Sequence, residues 1–191
     1  RVIYRLSFSG DTITEITRID AVTRAIIEEV PTFFLFPAKH FVTPELERKR
    51  AIADIALELE IQLEKFAKEG KLLEAERIKR RTQHDLALIR EIGYCNGIEN
   101  YSRHFDGRKP GEAPFSLIDY FNEPYKDKWM LLVDESHMTF PQIRGMYNGD
   151  LARKQTLIDY GFRLPSALDN RPLKFDEFMR RVPNFIASSA T

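Results

Sequence analysis

Asp134-Glu135-Ser136-His137 follows directly on the apolar run Trp129-Met130-Leu131-Leu132-Val133. Two adjacent carboxylates at the end of an apolar strand suit a nucleotide-splitting motor, one holding magnesium through water and the next polarising the attacking water. On that reading Asp134 is the magnesium residue, Glu135 the hydrolytic one, and His137 the link between phosphate state and a neighbouring contact. Ser189-Ala190-Thr191 is a second short signature of the same motor class, in which Ser189 and Thr191 couple the nucleotide site to the nucleic-acid site. Alone, Asp-Glu after a strand is better read as the start of a solvated loop, and the two hydroxyls are ordinary strand-end residues. The apolar run and the second signature together favour the motor. No G-x-x-x-x-G-K-[ST] phosphate loop occurs in the 191 residues, so the hydrolysis half of a nucleotide site stands without the binding half.

A second group of residues is basic. Arg77, Lys79, Arg80 and Arg81 crowd one stretch, and Tyr94, Asn96, Asn100, Tyr101, Arg103, His104, Arg108 and Lys109 follow. Cations pair with phosphates and interleaved aromatics stack on exposed bases. A solvated helix face explains Lys79 and Arg80 better. For the 94–109 loop, base stacking and a plain polar surface remain equally open. Glu99 is expected to cap or brace that loop. His40, His84 and His104 lack metal-ligand spacing and are assigned structural or surface roles. Cys95, with no histidine at catalytic spacing, is expected to be a buried packing residue.

The elements that must position these residues fall into three segments. Residues 1 to about 37 suggest β structure: strands over 2–8 and 12–19 about a Ser9-Gly10-Asp11 turn, then the apolar run Phe33-Phe34-Leu35-Phe36 between Pro31 and Pro37. So little sheet needs more strands or a packing partner. From about 43 to 92 two long helices are expected. Thr43 would be the N-cap and Pro44 the first helical residue, with Ile52, Ile55, Leu59, Leu63 and Phe66 as one apolar stripe. After Gly70 a second stripe runs through Ala75, Ile78, Leu86 and Ile89 to Gly93, making an antiparallel pair. Beyond 94 come a loop to Pro114, a buried strand over 129–133, a helix over 149–160, the loop Gly161–Pro165, a helix over 175–181 and a strand over 184–187. That alternation argues for α/β layering.

Composition sets outer bounds. At 43% apolar and 30% charged the chain is a folded, globular one, and 29 basic against 29 acidic residues leave no global field for nucleic acid. No apolar stretch approaches the roughly 20 residues of a membrane span. One cysteine precludes an intramolecular disulfide and suits a reducing cytosol.

Four blocks carry a specific resemblance: Gly97-Ile98-Glu99-Asn100-Tyr101-Ser102-Arg103, Asp134-Glu135-Ser136-His137, Gly145-Met146-Tyr147-Asn148-Gly149-Asp150, and Gly161 through Leu173. Together they resemble the UvrB family, the damage-verifying subunits of the bacterial excinuclease. The resemblance covers essentially the whole chain, is weakest near its start, and leaves 122–128 a few residues longer than usual. It implies an α/β fold of two RecA-like P-loop motor domains with insertions. Residues 1–37 would be the end of a small UvrA-docking β domain, 38–115 a helical insertion beside the DNA path, and 116–191 part of the first motor domain. It implies the roles given above for Asp134, Glu135, His137, Ser189 and Thr191, and it sets Arg81, Tyr94, Glu99 and Arg163 along the DNA path. ATP and Mg2+ are the implied cofactors of the whole protein, UvrA, UvrC and damaged double-stranded DNA its partners, and the cytoplasm its location. The family's phosphate loop, damage-probing hairpin and second motor domain have no counterpart in the chain. It is therefore expected to be a central stretch of a longer protein, binding and hydrolysing no ATP by itself. Two other readings stand: a non-catalytic module binding UvrA or DNA, and a stretch of a transcription-repair coupling translocase, against which the Gly161–Leu173 block argues.

Overall fold

The computed structural model describes residues 3–35 and 43–190. The chain divides into two compact units, residues 1–40 and 41–191. Phe36, Pro37, His40 and Thr191, named above, lie outside the described residues.

The first unit is a three-stranded antiparallel sheet, β1 (Ile3–Ser9), β2 (Thr12–Ile19) and β3 (Ile26–Glu29), in the order β1-β2-β3. Gly10 at φ 60° opens the two-residue turn, the placement that matches strand twist in a hairpin. Register pairs Ile3 with Ile19 and Leu6 with Ile16, and Thr17 and Ile19 are the buried side chains. β3 escapes the sequence reading because it is short and exposed throughout. Phe33, Phe34 and Leu35, expected to continue the β structure, form no strand, and the Phe33 ring instead lies 4.4 Å from that of Tyr4.

The second unit opens with a helical hairpin, α1 (Glu45–Lys68) and α2 (Leu72–Ile92). Helix α1 starts one residue later than expected: Pro44 is the capping residue, with extended ψ, and Glu45 the first helical one. Gly70 at φ 71° ends it. Its N–H reaches the Ala67 carbonyl at 3.2 Å and that of Lys71 reaches Phe66 at 2.9 Å, which satisfies two otherwise orphaned carbonyls. The two helices pack along the expected stripes, burying Ile55, Leu59, Phe66, Ile78, Leu86 and Ile89. The expected loop after α2 is instead a 3-10 turn (Ile98–Tyr101) and helix α3 (Ser102–Asp106). Cys95, Ile98, Tyr101 and Phe105 are buried there with α1 and α2. Tyr101, which could have stacked on bases, is a core residue, since at this spacing it completes the hairpin's apolar face with Phe105.

Helix α4 (Leu117–Tyr125), absent from the sequence reading, begins at a capping box in which the Asp119 carboxylate accepts the Ser116 N–H at 2.6 Å. Strand β4 is Leu131–Val133 rather than 129–133. Only Val133 is buried; Leu132 points to the other side of the pleat and is 72% exposed. The strand is therefore half open rather than buried among the described residues, because β4 pairs with just β5 (Phe185–Ala187), in parallel. Between them run α5 (Ser136–Asp159), a 3-10 turn (Pro165–Asp169) and α6 (Phe175–Arg181). Helix α5 starts thirteen residues before the expected Gly149, running through Pro141, Gly145 and Gly149, each a helix-weakening residue that hid it. The described residues thus form helices and two small sheets.

Candidate functional site

The turn from β4 into α5 gathers the first group. Asp134 follows the last strand residue, and Glu135, at φ 47° and ψ 48°, turns the chain into α5. β5 runs alongside, so the Val133 carbonyl accepts the Ser188 N–H at 2.9 Å and the Ser188 carbonyl accepts the Ser136 N–H at 2.9 Å. These bonds bring the two short signatures together. Asp134 Oδ1 accepts the Glu135 N–H at 2.9 Å and the Ser188 hydroxyl at 2.9 Å. Ser189 Oγ lies 3.0 Å from His137 Nδ1, and Glu135 Oε2 lies 3.4 Å from the same nitrogen. Asp134, Glu135, His137 and Ser189 form one solvent-facing cluster; Thr191 is outside the described residues. Ser188 is a residue that sequence reasoning missed, and its place directly before Ser189 was the available signal.

Two neighbouring carboxylates suit a hard cation that keeps most of its water. Among the described residues no three or more His, Cys, Asp or Glu side chains gather to cage an ion. Magnesium keeps most of its waters and uses one or two carboxylates together with substrate phosphates, which fits Asp134 with Glu135 beside it. Phosphate-cradling backbone is a different matter, since no phosphate loop occurs in the sequence.

The second group converges elsewhere. Gly97, at φ 85°, lies beside two guanidinium groups: a Cβ there would stand in ordinary contact, 3.7 Å from Arg81 Nη2 and 3.9 Å from Arg163 Nη2. Arg81 donates to Asp85 at 2.9 Å and to the Asn96 carbonyl at 2.9 Å. Asp85 also accepts the Tyr101 hydroxyl at 2.9 Å, and burial foremost, with the Asp85 charge, raises that phenol well above its ordinary range. Glu99, Asn100, Arg153, Lys154, Arg163 and Arg171 line a polar cavity of about 340 Å3. Tyr94 packs part-buried against the helical core. No residue of the first cluster lines that cavity.

Other basic residues have structural partners. Arg77 stacks on Phe162, 4.4 Å to the ring centroid, and donates to the Tyr160 carbonyl. Arg103 bridges Glu58 at 3.4 Å and Asp169 at 2.7 Å. Arg108 bonds Asp106, Ser102 Oγ and the Asp169 carbonyl, each at 3.0 Å. His104 Nε2 meets Glu58 Oε2 at 2.8 Å, whereas His84 is exposed. Cys95 is buried, and burial with the Asp85 charge pushes its thiol up to about 12.

Comparison with known proteins sets this geometry in a lineage. Residues 1–41 match the UvrB interaction domain and residues 46–107 the UvrB third helical domain. Over 189 residues, 99% of the chain, it is 59% identical to UvrABC system protein B of Synechococcus sp. (strain JA-2-3B'a(2-13)), covering 27% of that protein. It is 55% identical over 188 residues to the Lactobacillus acidophilus protein of the same name, 98% of the chain and 27% of the relative. The Thermosipho africanus protein is 53% identical over 187 residues, 98% of the chain and 28% of the relative. The chain spans a little over a quarter of the length of these relatives. With two UvrB domain matches and this identity over nearly every residue, the chain belongs to the UvrB family.

Proposed function

We propose that this chain serves nucleotide excision repair as the stretch of a UvrB protein that docks UvrA and couples ATP hydrolysis to damage verification on DNA, before UvrC is recruited. The observation that carries the reading is the pairing of Asp134 with Ser188 and of His137 with Ser189, in a chain matching UvrB domains. Residues 116–191 are, on this reading, part of a RecA-like motor domain, which strand-helix alternation around parallel β4 and β5 supports. ATP with Mg2+, when bound, supplies the reactive phosphoanhydride and a Lewis acid. Asp134 would hold the magnesium through water, and Glu135 would orient and polarise the attacking water. His137, within reach of both Glu135 and Ser189, would pass the phosphate state to the Ser189–Thr191 segment and so to DNA. Arg81 and Arg163 would meet the DNA backbone, with Glu99 lining the same cavity as Arg163; Tyr94, packed part-buried on the helical core, would flank that path. The three relatives compared all bear the UvrABC name, which favours this reading over a coupling translocase. The proposed setting is the cytoplasm; among the described residues no helix is long and apolar enough to cross a membrane.

The test is a chimera in which these 191 residues replace the corresponding segment of the Synechococcus protein. With UvrA and UvrC it should support incision of a lesion-bearing duplex. A folded chimera that binds UvrA yet supports no incision would overturn the reading. A second reading, a docking module without turnover, is favoured for the isolated chain by the missing phosphate loop. It predicts no ATP hydrolysis by the 191 residues, with or without DNA.

A further inference from the structure

The mid-helix carboxylate Glu58 faces inward and is 13% exposed. It accepts the Ser166 backbone N–H at 2.7 Å, meets His104 Nε2 at 2.8 Å and takes Arg103 Nη2 at 3.4 Å. Ser166 stands three residues after Arg163, and Arg103 stands four after Glu99. Two chain segments far apart in sequence thus end on one carboxylate. The far side is closed by Asp169, which takes Arg103 Nη1 at 2.7 Å and the Gly111 N–H at 2.8 Å. Burial raises the Glu58 carboxyl more than any other single influence does, but bonds from His104 and Ser166 and the charges of His104 and Arg103 outweigh it, leaving it below 4.5.

Buried charges persist where several partners satisfy them, and removing one partner leaves the others unmatched. We propose that Glu58 is a positioning residue: it sets the 98–104 and 163–166 segments in register, so that Glu99 and Arg163 face one polar cavity. Glu58 need not touch a ligand; it acts through Arg163. This inference rests on the reading that Arg163 meets nucleic acid, and it deepens that reading by naming what aims the arginine. Glu58 lies on the buried side of α1, where sequence alone reads it as one more acidic residue of a charged helix.

The experiment uses the 191-residue chain and a fluorescein-labelled 20-mer DNA titrated over a salt series. Glu58→Gln keeps the shape and removes the charge; Arg163→Ala removes the proposed phosphate contact. Each should weaken binding about tenfold, and Arg163→Ala should flatten the salt dependence by about one phosphate. The double variant should be no more than about twofold weaker than Arg163→Ala, since both act on one contact. Where Arg163→Ala weakens binding, fully additive losses, or unchanged affinity in Glu58→Gln, would overturn the proposal. If Arg163→Ala leaves affinity and salt slope intact, the nucleic-acid reading fails by itself. The Arg163 and Ser166 amide resonances then decide the positioning claim, which predicts that both shift in Glu58→Gln and fails if they stay in place. Should Glu58→Gln not fold, Arg103→Lys, which cannot span Glu58 and Asp169 together, should give the same loss and the same amide shifts.

Discussion

Glu135 does two things at once: it carries a carboxylate and it holds a left-handed backbone that costs a non-glycine residue roughly 1 kcal/mol. Glycine would relieve that strain, so Glu135→Gly should raise stability by about 0.5–1 kcal/mol in urea denaturation while removing the carboxylate. Unchanged or lower stability would show that the turn is not strained. Cys95 supplies a second check at this scale. With its thiol buried and pushed up to about 12, iodoacetamide at pH 8 should label it only after unfolding. Its burial was legible, since a lone cysteine with no histidine at catalytic spacing is more often a packing residue than a nucleophile. The structural duties of Arg103 and Arg108 were not, because a side chain's partners across 45 or more residues leave no local trace.

At the scale of elements, the helical hairpin could be read directly from sequence, because its stripes and glycine stops are strong local signals. Helix α5 could not, since Pro141 and two glycines argue against it locally and its support comes from packing. That packing centres on its C-terminal end, where Ile158 and Lys154 are buried and Gly161 meets α2. A Cβ on Gly161 would stand 2.3 Å from the Glu74 carbonyl oxygen, and its φ of 70° disfavours any side chain. Gly161→Ala should therefore cost about 2–4 kcal/mol, from left-handed strain plus a backbone clash. A loss below about 1 kcal/mol by urea denaturation would mean that α2 and the 161 turn separate readily. The Asp134 box was found by its spacing, whereas its contact with Ser188 depended on β5 pairing in parallel with β4.

For the whole molecule, two carboxylates tie stability to acid. The Arg171 guanidinium, donating to Glu177 at 2.7 and 2.9 Å, holds that carboxyl at about 2, below its ordinary 4.5, and Glu58 is also depressed. A depressed carboxyl stabilises the fold above its unfolded value and loses that contribution as pH falls through the folded one. Glu177→Gln should thus lower the urea midpoint at pH 7, and the deficit should shrink between pH 4.5 and 2. A deficit constant with pH would contradict the linkage. The central claim concerns the cluster where the two signatures meet, and DNA-stimulated ATP hydrolysis by the Synechococcus chimera tests it most directly. Glu135→Gln should abolish turnover, about a hundredfold or more, whereas Ser189→Ala should retain basal turnover and lose its stimulation by DNA. Equal turnover in the unaltered and Glu135→Gln chimeras would contradict the account.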